Sequence, residues 1–125
     1  MRAFLLLALG AIVFLVPQAH AREQHNLAER VRDGAQRTDN DLESLVKREK
    51  LNAQQRERLD AALKDLRGLR DAVAAGKLEN ERPRLERAVE NIDSLIKQAP
   101  IEEGDRQTLG IDLYSLQVIL DSWKP

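Results

Sequence analysis

The chain has 125 residues, no cysteine, 3% aromatic residues and a formal net charge of −1, with 42% hydrophobic and 33% charged residues. That composition suits one small globular domain. It excludes a disulfide framework and thiol chemistry, and its balanced charge leaves no electrostatic footprint for nucleic acid and no polybasic block for anionic lipid.

The first 21 residues read as a secretory signal peptide. Arg2 supplies the positive start, and Ala3–Val16 form an unbroken apolar run of 14 residues. Pro17 and Gln18 end the run, and Ala19-His20-Ala21 is a small-x-small cleavage site. Cleavage after Ala21 puts Ala at both −3 and −1, whereas cleavage after Ala19 would put Pro17 at −3. The run falls short of the roughly 20 residues of a membrane-spanning helix, so an uncleaved anchor is the less favoured reading. No Cys follows the site to carry a lipid. The expected product is a periplasmic, bacterial-type domain spanning 22–125, without a membrane span once residues 1–21 are removed.

The first segment after the signal reads as a helix over about 24–50, with Leu27, Val31, Leu42, Leu45 and Val46 as its apolar positions. Its middle, Asp33–Asn40, holds no large apolar residue. Asn40 with Glu43 has the spacing of a fresh helix start. Val31 and Leu42 lie 11 residues apart, close to a whole number of turns. Gly34, Ala35 and Thr38 fill the face between them, so one long helix with a weak middle is the preferred reading.

A second helix is expected over 53–75. Leu59, Ala62, Leu63, Leu66, Leu69 and Val73 step by three and four, the mark of one buried stripe. Asn52 and Gln55 have capping-box spacing, and Gly76 suits a left-handed C-terminal cap. Leu51-Asn52-Ala53-Gln54-Gln55-Arg56-Glu57-Arg58-Leu59 resembles the L-T-x-x-Q segments of periplasmic helical chaperones and envelope-stress regulators. The likeness covers nine residues, has Asn52 in place of Thr and no second copy. Any capping box yields the same spacing, so no family membership follows.

A third helix is expected over 81–99, with Leu85, Ala88, Val89, Ile92, Leu95, Ile96 and Ala99 as its stripe. Asn80 is its expected cap, Pro83 falls in its first turn and Pro100 stops it. Arg82, Arg84 and Arg87 sit among Glu79, Glu81, Glu86 and Glu90, which reads as surface pairing. Glu43/Lys47, Asp60/Lys64 and Asp93/Lys97 are acid-first pairs at i,i+4.

The last helix is expected over 105–122, with Asp105 as its cap after Gly104. Leu109, Leu113, Leu116, Leu120 and Trp123 form one stripe, with Trp123 sealing the bundle end. Ile111, Tyr114 and Val118 fall on roughly the opposite side at 100° per residue. If three other helices cover only one face of this one, those three residues are exposed and form a surface for a protein partner or a second copy. If the helix is central, they are buried. The fold expected is all-α, a small antiparallel four-helix bundle with coiled-coil-like packing.

Chemistry is scarce. The domain has one His, His25, near the expected new N-terminus; no G-x-S-x-G and no C-x-x-C-H occur, and the only Met is Met1. No catalytic residue, cofactor or metal site is read from the sequence. Asp39-Asn40-Asp41-Leu42-Glu43 begins like a calcium loop but has Ser44 where Gly is needed and Lys50 where Glu is needed. Glu102, Glu103 and Asp105 place negative charge at a helix N-terminus. The expected function is protein binding, as a chaperone-like, stress-related or assembly accessory factor. A periplasmic immunity or inhibitor protein and a carboxylate-based metal binder are the alternatives.

Overall fold

The computed structural model describes residues 2–124, apart from the side chains of 2–21 and of Gln24. The expected cleavage site lies outside the described side chains. Four helices follow one another: α1 (Arg2–Arg48), α2 (Ala53–Ala74), α3 (Arg82–Gln98) and α4 (Glu103–Ser122). Among the described residues there is no strand, and no helix is long and apolar enough to cross a membrane.

α1 packs on α2, α2 on α3, α3 on α4, and α4 closes the ring against α1. Side-chain pairs give the directions. Arg70 hydrogen-bonds Gln36 while Arg67 reaches Glu43, so α1 and α2 are antiparallel. Gln55 reaches the Gln98 carbonyl while Arg87 meets Asp65. Arg106 donates to the Ala99 carbonyl while Arg82 donates to that of Trp123. Every neighbouring pair is antiparallel, and the architecture is an up-down-up-down four-helix bundle.

The core is built mainly from the expected stripes. Val31, Ala35, Leu42 and Leu45 of α1 join Leu59, Ala62, Leu66 and Leu69 of α2, Leu85, Ala88, Ile92 and Leu95 of α3 and Leu109, Leu113 and Leu116 of α4; Ile101 and Ile119, which those stripes lacked, are buried with them. Trp123 is buried at the end of α4, while Val73, Val89, Ile96 and Leu120 pack on the core half-buried. α1 runs unbroken through Asp33–Asn40. Gly34 explains the missing large side chains there: a Cβ on it would lie 3.1 Å from Ile119 Cδ1 and 3.3 Å from Leu116 Cδ2. The stretch is small because α4 presses against it.

The helix ends are tied locally and across the bundle. Asn52 accepts from the Gln55 N–H at 2.8 Å and Gln55 accepts from the Asn52 N–H at 3.1 Å, completing the capping box. Gly76 has φ +67°, and the bonds from Lys77 N–H to the Ala72 carbonyl and from Gly76 N–H to that of Val73 form a Schellman motif.

Two expected caps are displaced. α3 begins at Arg82 after Glu81, so Asn80 lies one residue too early to cap it, and the Glu81 carboxylate instead accepts from Arg84 at 2.7 Å. α4 begins at Glu103, which puts Asp105 inside the first turn. There it pairs with Arg48 of α1, while the Glu102 N–H is taken by Glu49 Oε1 at 2.9 Å. Arg82 donates to the last carbonyls of α4, at Trp123 and Leu120, besides pairing with Glu86. A neighbouring helix thus supplies what the local sequence lacks.

Candidate functional site

α4 touches only α1 and α3, and its outer face is open. The three side chains singled out from helical phase lie on that face: Ile111 is 64%, Tyr114 69% and Val118 40% exposed. They are the exposed large hydrophobic residues among the described side chains. The spacing of three and four places them along one strip.

The surroundings of the strip set it apart. Between Glu103 and Asp121, the other exposed residues of α4 are Gly104, Gln107, Thr108 and Gln117, all uncharged. α2 exposes Arg56, Glu57, Asp60, Lys64 and Asp71 over a similar length, and α3 exposes Glu86, Arg87, Glu90 and Lys97. In a chain with one residue in three charged, a helix face whose exposed residues from Gly104 to Val118 carry no charge is the exception. Depletion of charge around an aromatic residue is the compositional mark of the centre of a protein interface.

The polar interior was not foreseen. Asp39 is 4% exposed and sits in the supposedly weak middle of α1. It receives Arg67 Nε at 3.1 Å and Nη2 at 3.3 Å, and Arg70 Nη2 at 3.2 Å. Arg67 also reaches Glu43, and these bonds to Asp39 and Glu43 raise its pKa further. Buried Thr38 donates to the Gly34 carbonyl at 2.8 Å. The pairings replace two expected ones, since Glu43 pairs with Arg67 rather than Lys47 and Asp60 with Arg56 rather than Lys64. Asp93 and Lys97 do pair, at 2.9 Å.

Asp112 is the second buried acid, 2% exposed. Arg37 Nε stands 3.9 Å from its Oδ1, and Oδ2 has no donor. Burial, then the neighbouring carboxyl of Asp41, push Asp112 up to about 8, against a smaller opposing pull from Arg37. One cue for it was on view: Asp112 stands in the core phase between Leu109, Leu113 and Leu116.

Acidic oxygens gather at one more place. Glu49, Glu102 and Asp105 bring carboxylates within 4.8 Å of one another where α1 meets α4. Among the described residues these are the groups with the spacing to hold a cation, and the Arg48 guanidinium already contributes positive charge there. Its hydrogen bond holds the Asp105 carboxyl below the ordinary range. His25 pairs with Glu29 at 3.2 Å and is exposed. A cleft of about 520 Å³ runs along α2 past Gly68, lined by Asp60, Lys64, Asp71 and Arg84. Arg84 lies across Gly68 so closely that a Cβ there would overlap its Nη1. Asp60 is paired with Arg56 and Arg84 with Glu81, and none of the lining residues is a Ser, Cys or His.

No protein-family model matches the chain, and no curated protein or solved structure matches it either.

Proposed function

We propose that this protein acts by binding another protein through the outer face of α4, centred on Tyr114, and not by catalysis. The observation that carries the reading is the charge-free strip of Ile111, Tyr114 and Val118 on a helix packed against only two neighbours. Tyr supplies a large amphipathic contact at low entropic cost, and apolar neighbours exclude water around it. The strip spans roughly 10 Å along the helix at about 1.5 Å per residue, which suits a helix or an extended segment of a partner.

We further propose that the partner is met in the periplasm, after residues 1–21 have directed export. The positive start, short apolar run and Ala19-His20-Ala21 site support that address. A stress-related or assembly accessory role in the envelope fits a small, Cys-free bundle stabilised by helix packing.

The test is a photo-crosslinking amino acid placed at Tyr114 in the full-length gene, with the same residue at exposed Glu90 of α3 as control. The expected result is a discrete adduct of fixed mass from position 114 and none from 90. Adducts equal at both positions, or none at 114, contradict the reading. N-terminal sequencing of the purified protein tests export, with Arg22 expected as the first residue.

A further inference from the structure

α1 and α4 lie in one fixed register. Arg48 meets Asp105 at one end, Arg30 meets Ser122 at the other, and Gly34 lies against Ile119 between them. This register sets Asp41 opposite Asp112 in the middle of the interface. The Asp112 side chain is 98% enclosed, and its Oδ2 meets no donor. A carboxylate in that position would be an unsatisfied buried charge beside a second acid, an arrangement helix packing does not tolerate without compensation. A carboxylic acid there has an O–H to donate to Asp41.

We propose that Asp112 and Asp41 form a proton-operated latch between α1 and α4. With one proton on the pair, the two carboxyls share a hydrogen bond and hold the helices together. When the proton leaves, two carboxylates face each other inside the interface and α4 loosens from α1. The groups acting on Asp112 from α1 are Asp41 and Arg37, of which Arg37 favours the ionised form. α3, packed against α4 on its other side, contributes no charged group acting on it, and residues one turn away on α4 itself, Thr108, Leu109, Ser115 and Leu116, are uncharged. The position of Asp112 in the titration range follows from this enclosure: burial and Asp41 raise it to about 8. The latch is independent of whether the outer face of α4 binds a partner.

Carboxyl-carbon NMR of the purified protein tests it. Asp112 is expected to titrate with a midpoint near 8. Asp41→Asn removes the like charge and is expected to lower that midpoint, whereas Arg37→Gln removes the cation and is expected to raise it. Amide exchange gives the second readout. After correction for intrinsic rates, the α4 amides of the wild type are expected to lose protection from about pH 5 to about pH 8, by at most about tenfold per pH unit. Asp112→Asn, which cannot ionise and can still donate to Asp41, is expected to abolish that loss. An Asp112 midpoint in the ordinary carboxylate range, or midpoints that do not move in opposite directions in the two variants, overturns the proposal. An Asp112→Asn protein with the same pH dependence as wild type overturns it as well.

Discussion

Asp39 of α1 is held in the bundle by Arg67 of α2, whose Nε and Nη2 reach the two carboxylate oxygens at 3.1 and 3.3 Å. Arg70 adds a third contact at 3.2 Å. A two-pronged guanidinium grip of this kind fixes both distance and orientation. It sets the register of α1 on α2 through side chains 28 residues apart.

Removing the buried acid is therefore expected to cost more than removing either arginine. Asp39→Ala removes the carboxylate shared by both arginines, leaving Arg67 only Glu43 and Arg70 only Gln36, and is expected to destabilise the fold by about 1–3 kcal/mol in urea denaturation. Arg67→Ala leaves Arg70 on Asp39 and should cost less. A double-mutant cycle on Asp39 and Arg67 measures their coupling directly. Additive effects would show that the grip contributes only geometry.

The pH dependence of stability should have a maximum on the acid side of neutrality. Asp112 is raised to about 8, so the folded state binds a proton that the unfolded chain has already lost. Stability then falls as pH rises between the ordinary carboxyl range and about 8, with a slope of at most about 1.4 kcal/mol per unit. Asp105 is lowered by its hydrogen bond to Arg48, so the stability it contributes is lost as pH falls below the ordinary carboxyl range. Thermal unfolding midpoints measured across pH should pass through a maximum near pH 5 in wild type. In Asp112→Asn the alkaline decline should flatten while the acid decline remains.

The close approach of α1 and α4 at Gly34 yields a steric prediction. Its nearest neighbours, Ile119 Cδ1 and Leu116 Cδ2, already stand at 3.1 and 3.3 Å from where a Cβ would be. Gly34→Leu must push α4 outward and is expected to destabilise by about 1–3 kcal/mol or more. Gly34→Ala needs a shift of only a few tenths of an ångström and regains helix propensity, so its net effect should be small. Denaturation midpoints of the two variants check this, and equal midpoints would contradict it.

Much of this architecture was legible because helices announce themselves by spacing. The Leu85–Ala99 stripe, the Asn52–Gln55 box and the left-handed Gly76 are local signals, and each appears where local chemistry puts it. The exposed strip of Ile111, Tyr114 and Val118 followed from angular arithmetic once α4 was placed at the edge of a ring rather than at its centre. The polar interior was not legible, since Asp39 acquires its meaning from Arg67 and Arg70 on another helix. Asp112 likewise depends on Asp41 across the α1–α4 register. The displaced start of α4 has the same origin: local rules select Asp105 as its cap, but Glu49 supplies the partner for the Glu102 N–H from the end of α1.

Tyr114 decides the functional reading. Because Tyr114 is 69% exposed, Tyr114→Arg should leave the stability within about 0.5 kcal/mol of wild type. The most direct measurement places the photo-crosslinking residue at Val118 and compares adduct yield with Tyr or Arg at position 114. A discrete adduct formed with Tyr114 and lost in Tyr114→Arg, at unchanged stability, is the predicted result. An adduct that persists in Tyr114→Arg, or a variant that unfolds, contradicts it.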